Sequence, residues 1–331
     1  MLLARYHTMA MARAIERRLW VLSLPHPVGK SRQDREEILS GMGTPTLTSA
    51  GFEALQVAAA AALRPGRDWV VPCPLDLALC LAVGVSPLDV MLAVFGRATD
   101  PGSAGKQAPG AFGSRAARVV MTSASAGRHV VQAAGIAYAS KLLHVDEVTL
   151  VCTDERGTQS GDWHEGVNFA GAHSLPLICL VEDRASTEGP IAQHPDGSAV
   201  ARAEGYGLAG ETVDGGDFDA ALAAFGRAAD RARSGGGPSL IHAAVVDLTS
   251  RAPGGRLRPP EDLEALASQD PIDRMRRRLL GAGVLDEAGD DQLQRDCAIV
   301  VASAVDEARA AASPEGPLAL ENVFSRGPVH G

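Results

Sequence analysis

Aromatic residues make up only 4% of this 331-residue chain, and its five cysteines include no CxxC pair. Nowhere does an apolar run reach the ~18 residues that would suggest a membrane-spanning helix. Positive charge is not in excess either: the net charge is −9. These absences exclude a transmembrane protein, a disulfide-stapled secreted module and a general nucleic-acid surface. The first residues, "MLLARYHTMAMARAIERRLWVL", carry Arg and Glu throughout and lack the unbroken apolar segment of a signal peptide. Together with the unpaired cysteines this predicts a cytoplasmic protein. No Cys/His cluster has zinc-ligand spacing. The glycine-rich "GRATDPGSAGKQAPG" lacks the Gly-Lys-Ser/Thr ending of a phosphate-binding P-loop.

What is present is a packed core. Hydrophobic residues are 46% of the chain and charged residues 21%. With few aromatics and 36 glycines, that core is built from small side chains, which suits close packing of helices on a sheet. Helical spacing runs over 4–21, 51–63, 74–84, 126–143 and 162–174, with Gly84 as a stop and Asp162 near a start where its charge suits the helix dipole. "EVTLVC", "LPLICLVE" and "PSLIHAAVVDL" read as buried strands. Between the last two, "ARAEGYGLAG" and "DFDAALAAFGRAADRARSGGG" read as helices. The alternation predicts an α/β fold, a parallel sheet with helices on both faces. Three regions follow: an N-terminal helix and irregular segment over 1–50, an α/β core over 51–250, and a loop with a helical C-terminal arm over 251–331. The helices at 53–63 and 126–143 are expected to offer flat Ala/Gly-rich surfaces to another subunit.

The segments "GFEALQVAAAAAL", "DLALCLAVGVSPLDVMLAVFGR", "GDWHEGVNFAGAHSLPLICLVE", "RAEGYGLAGETVDGGD" and "DPIDRMRRRLL" occur in an order and spacing that resemble the alpha subunit of thiamine-diphosphate-dependent 2-oxo acid dehydrogenases. That subunit belongs to the decarboxylating first component of the branched-chain and pyruvate complexes. The resemblance implies a thiamine-diphosphate-binding fold, thiamine diphosphate with Mg²⁺ as cofactor, and an α2β2 heterotetramer with a beta-type partner. It also implies docking to an acyltransferase core; a homodimer is the other assembly expected.

The cofactor positions depart from the family pattern. The metal motif of the family opens with Gly-(Asp or Glu)-Gly and closes with Asn-Asn-Gly, so that glycine backbone approaches the diphosphate and oxygens surround Mg²⁺. Here the opening triplet is Asp154-Glu155-Arg156 and the closing one Asp183-Arg184-Ala185. Glu155 remains as an acidic ligand, and Ser186 takes the position whose carbonyl would ligate. Arg184 replaces the ligating amide and has no lone pair to offer. At ~4 Å and an effective dielectric near 20, a guanidinium beside a dication costs on the order of 8 kcal/mol. Arg184 has three readings: a surface or salt-bridged arginine, a replacement for the metal that pairs with Glu155 or Asp154, or a direct anion ligand.

Elsewhere Pro74 and Leu75 stand where the family has Tyr-Arg, and Ala111 stands at a family histidine. Lys106 and Gln107 are retained as cofactor contacts. Arg251 takes the position of a catalytic histidine and, like Arg184, is a candidate anion contact. His164, His129 and His242 are expected to be packed or hydrogen-bonded, and His7 and His144 to be exposed. On these residues the chain is expected to be a pseudoenzyme that keeps fold and interfaces. The alternative is a competent subunit whose contacts are relocated or supplied by a partner.

Overall fold

The computed structural model describes residues 1–23, 49–74, 76–107, 111–121, 127–184, 199–248 and 260–320. Five parallel strands form one sheet in the order β1-β2-β3-β5-β4: β1 Trp69–Val71, β2 Thr149–Asp154, β3 Leu177–Asp183, β4 Ala209–Asp214 and β5 Ser239–Ala244. β2 and β3 are buried along nearly their whole length and sit inside the sheet, covered on both faces.

Strand alternation sorts the core into two layers. Leu150, Cys152, Ile178, Leu180 and Ile241 face a cluster that includes residues of α1 (Leu2–Ser23), α2 (Glu53–Ala61), α3 (Leu77–Val83), α4 (Pro87–Val94) and α8 (Phe218–Arg233). Val151, Leu177, Cys179, Val181 and Leu240 face α5 (His129–Leu142) and α6 (Gly161–Ala172), with α7 (Val200–Ala203) beside them. Small residues let these elements come close. A Cβ on Gly171 would lie 1.6 Å from the carbonyl oxygen of Tyr206, so only glycine fits there.

The three apolar strands and the predicted helices are present, with boundaries moved by a few residues, except that the helix expected over "ARAEGYGLAG" is corrected to short helical turns that lead into a strand. Gly84 ends α3 in the left-handed region at φ 117°, and Ser160 caps α6, with Asp162 in its first turn. Two strands escaped the sequence reading. β1 is only three residues long. The run "ARAEGYGLAG" holds the short α7 and a single 3₁₀ turn, Glu204–Tyr206, before the chain enters β4, which lies at the sheet edge and is mostly exposed. Its half-wet pattern hides the strand.

After α9 (Pro260–Ala267), which buries no residue, the C-terminal helices also join the main core. Ile272, Met275 and Leu279 of α10 (Pro271–Gly281) and Cys297, Val301 and Val305 of α11 (Glu287–Ala310) are buried in the layer that holds α1. Arg13 of α1 ties these parts together: its Nε donates to Glu53 at 2.6 Å and its Nη1 to Asp270 at 2.8 Å. The expectation that the helix at 53–63 is an outer contact surface is corrected here. Glu53 through Ala60 are all buried within the chain, between α1, α3 and α8. No helix among the described residues is long and apolar enough to cross a membrane.

Candidate functional site

In a parallel sheet with helices on both faces, side chains that serve ligands gather at the carboxyl ends of the strands. Here that edge is crowded with ionisable groups. The registers Thr153↔Val181 and Val181↔His242 place these three residues side by side. Two residues further on, Glu155 and Asp183 project toward the same side as His242. His242 Nε2 lies 2.9 Å from Asp183 Oδ2, and His242 Nδ1 lies 3.7 Å from Glu155 Oε2. All three residues are buried, and one ligand atom from each lies within 4.8 Å of the others. Burial raises the Glu155 carboxyl above its usual range; Asp183 and Asp154 push the same way, while His242 and Arg202 oppose.

Arg202 of α7 closes this cluster. Its Nη2 is 3.8 Å from Glu155 Oε1, its two terminal nitrogens donate to the carbonyl and hydroxyl of Thr158 at 3.1 and 3.0 Å, and its guanidinium lies 4.9 Å over the Trp163 ring. His164, beside Trp163, hydrogen-bonds the Tyr206 hydroxyl through Nδ1, as expected of a packed histidine.

Arg184 follows β3 by one residue, and alternation turns it to the other side of the sheet. Its Nη1 is 3.5 Å from Asp247 Oδ2, and its guanidinium stands 5.1 Å from the Phe52 ring centroid. The pairing of Arg184 with Glu155 or Asp154 is therefore corrected to a pairing with Asp247. Beneath it lies a buried acid pair. Gln56 Nε2 donates to Asp76 Oδ1 and to Glu182 Oε1, each at 3.2 Å. Burial, Asp76 as neighbour and a hydrogen bond to Asp76 hold the Glu182 carboxyl well above its usual range, against a partial lowering by Gln56 and Arg184.

The remaining candidates lie elsewhere. Lys106 and Gln107 are exposed on a loop organised by Asp100, whose carboxylate accepts from the backbone N–H of Gly102 and Ser103. Pro74 and Ala111 are half-buried, and Arg156 is exposed. Leu75, Ser186 and Arg251 lie outside the described residues. The sequence reading missed Asp183, Arg202 and Asp247 as site members and placed His242 in the core. Only the strand register shows that His242 meets Glu155 and Asp183.

Comparison with known proteins agrees with this architecture. The family model described as "Dehydrogenase E1 component" matches residues 40–316. A "2-oxoisovalerate dehydrogenase subunit alpha" of Bacillus subtilis is 33% identical over 97% of this chain and 94% of its own length. A "3-methyl-2-oxobutanoate dehydrogenase subunit alpha" of Mycobacterium tuberculosis is 34% identical over 73% of this chain and 65% of its own. A "Pyruvate dehydrogenase E1 component subunit alpha" of Acholeplasma laidlawii is 29% identical over 74% of this chain and 70% of its own. A solved structure described as a putative thiamin diphosphate-dependent enzyme from Mycobacterium smegmatis covers 60% of this chain and 32% of its own, with a TM-score of 0.39 and 19% identity, a likeness too distant to argue from. The chain belongs to the dehydrogenase E1 component family, among the alpha subunits of 2-oxo acid dehydrogenases.

Proposed function

We propose that this chain is an alpha-type subunit that assembles with a beta-type partner, binds thiamine diphosphate and Mg²⁺ weakly, and has little intrinsic decarboxylating activity. The single observation that carries this reading is the parting of Glu155 and Arg184. The position of the acidic metal ligand faces His242, Asp183 and Arg202, while the position of the amide ligand holds a cation that turns to Asp247 and Phe52. Mg²⁺ requires a near-octahedral shell of oxygens. A guanidinium supplies none, and one of the groups beside Glu155 on this side is an imidazole. Asp154 also places a carboxylate where glycine would admit a diphosphate, and it accepts the N–H of Gly157 at 2.8 Å. The residues present do not fit the Mg²⁺–diphosphate group of the family.

In this reading Glu155, Lys106, Gln107, Ser186 and Arg251 are the residual cofactor-facing positions, and Arg184 is the principal departure. The outer face of α5 is the surface for a partner subunit in a cytoplasmic α2β2 assembly. It leaves Val131, Leu142 and Leu143 44%, 60% and 72% exposed, and Phe169 of α6 stands beside Tyr138 of α5. The retained buried carboxylate of Glu155 favours the second reading, a competent subunit whose missing contacts the partner supplies.

The test is reconstitution with a beta-type partner and turnover of branched-chain 2-oxo acids and pyruvate, with saturating thiamine diphosphate and Mg²⁺. The expected result is assembly with turnover at least 100-fold below that of a dehydrogenase with an intact alpha-subunit motif. Turnover within tenfold of it establishes the second reading.

A further inference from the structure

The Glu155–Asp183–His242 cluster remains after the cofactor question is set aside. We propose that it is a binding site for a divalent first-row transition metal of the zinc type, with one oxygen from each carboxylate and one imidazole nitrogen as ligands. This goes beyond the reading above and does not rest on it. The three residues come from the ends of β2 and β3 and from β5, so the sheet itself holds their spacing.

Three observations point to a cation. The first is distance. Ligands around a tetrahedral zinc ion at ~2.1 Å stand roughly 3.4 Å from each other. His242 presents Nε2 to Asp183 at 2.9 Å and Nδ1 to Glu155 at 3.7 Å, and one ligand atom from each of the three residues lies within 4.8 Å of the others, so a turn of the imidazole or of Asp183 brings one nitrogen and both carboxylates to an ion. The second is an unsatisfied ligand. Glu155 Oε2 is buried and makes no hydrogen bond, in a side chain that is only 8% exposed. A buried carboxylate oxygen without a partner is costly, and a metal ion would satisfy it. Arg202 approaches the other oxygen, Oε1, and so leaves Oε2 available.

The third observation is charge and donor chemistry. Glu155 and Asp183 bring two carboxylates to the cluster, with Asp154 close to Glu155 and one guanidinium, that of Arg202, at its side. Imidazole with carboxylates suits zinc, iron or cobalt better than Mg²⁺, which prefers an all-oxygen shell. Three protein ligands also leave a coordination position for water or a ligand oxygen.

The probe is Zn²⁺ itself, followed by equilibrium dialysis on the full chain, with Co²⁺ as a spectroscopic reporter and Mg²⁺ as the control. The inference predicts one Zn²⁺ per chain at micromolar affinity or tighter, visible Co²⁺ absorption from a low-symmetry N/O site, and no displacement by millimolar Mg²⁺. His242→Gln and Asp183→Asn should each weaken Zn²⁺ binding at least 100-fold. If His242→Gln does not fold, as judged by circular dichroism, Glu155→Gln takes its place with the same expected loss. Absence of stoichiometric binding overturns the inference. So does binding that survives in the folded variants, because the ion then sits elsewhere, for instance on the exposed His7 or His144. Failure to bind thiamine diphosphate leaves these outcomes unchanged.

Discussion

Arg184 and Glu155, each one residue past the end of a neighbouring strand, serve opposite faces of the sheet. Arg184 meets Asp247 and Phe52, and Glu155 meets Arg202 and His242. The Arg184–Asp247 contact holds a nearly buried carboxylate, so losing the guanidinium is expected to cost about 2–4 kcal/mol. Arg184→Asn should lower the chemical-denaturation midpoint accordingly. Adding Asp247→Asn should recover part of the loss, because the uncompensated charge is then removed. A double-mutant cycle with no coupling between the two positions would contradict the pairing.

Arg202 is expected to be a structural hub for the Glu155 cluster. It holds Thr158 through two hydrogen bonds, covers Trp163 and faces Glu155. Arg202→Ala should destabilise the chain by about 2–4 kcal/mol. Arg202→Lys should recover less than half, since an ammonium cannot reproduce the planar fork or its stacking. Thermal unfolding monitored by tryptophan fluorescence measures both.

Glu16 gives a pH dependence with a definite sign. Its carboxyl accepts from the backbone N–H of Ser49 at 2.7 Å and from the Ser49 hydroxyl. Burial and the neighbouring Glu53 raise it to about 7, against a partial lowering by Ser49 and Arg13. The folded state therefore holds this proton more tightly than the unfolded state does. Its contribution is fully present below the unfolded value of about 4.5 and declines as pH rises toward 7. That loss is on the order of 3 kcal/mol. Glu16→Gln, which keeps an acceptor for Ser49, should flatten the fall in melting temperature between pH 4.5 and 7. An unchanged pH profile would contradict it.

Tyr6 ties the two ends of the described chain together. Its hydroxyl donates to Asp290 Oδ1 at 2.6 Å, and Arg276 Nε reaches Asp290 Oδ2 at 2.5 Å. Tyr6→Phe should cost about 1–2 kcal/mol, because Asp290 loses a donor but keeps its arginine. A stability loss shared by α1 and α11 in hydrogen exchange is the expected signature.

The buried strands and the long helices were legible because their apolar runs carry the core. β4 was not, since "AGETVD" is an exposed edge strand whose polar residues resemble a loop. The family was readable from ordered segments, and so were the altered positions 154–156 and 183–185. The side on which each altered residue works was not. Arg184 and Asp183 are adjacent in sequence, yet their side chains have different partners, and only the strand geometry separates them. Distance along the chain hid the rest: Gln56 meets Glu182 across 126 positions, and Arg202 meets Thr158 across 44.

The central claim is that the strand-end side chains of this subunit no longer provide the Mg²⁺–diphosphate site. Calorimetric titration of thiamine diphosphate into the chain mixed with a beta-type partner, with and without Mg²⁺, tests it most directly. The account predicts weak binding with little dependence on Mg²⁺. Tight binding that requires Mg²⁺ and is lost in Glu155→Gln would contradict it.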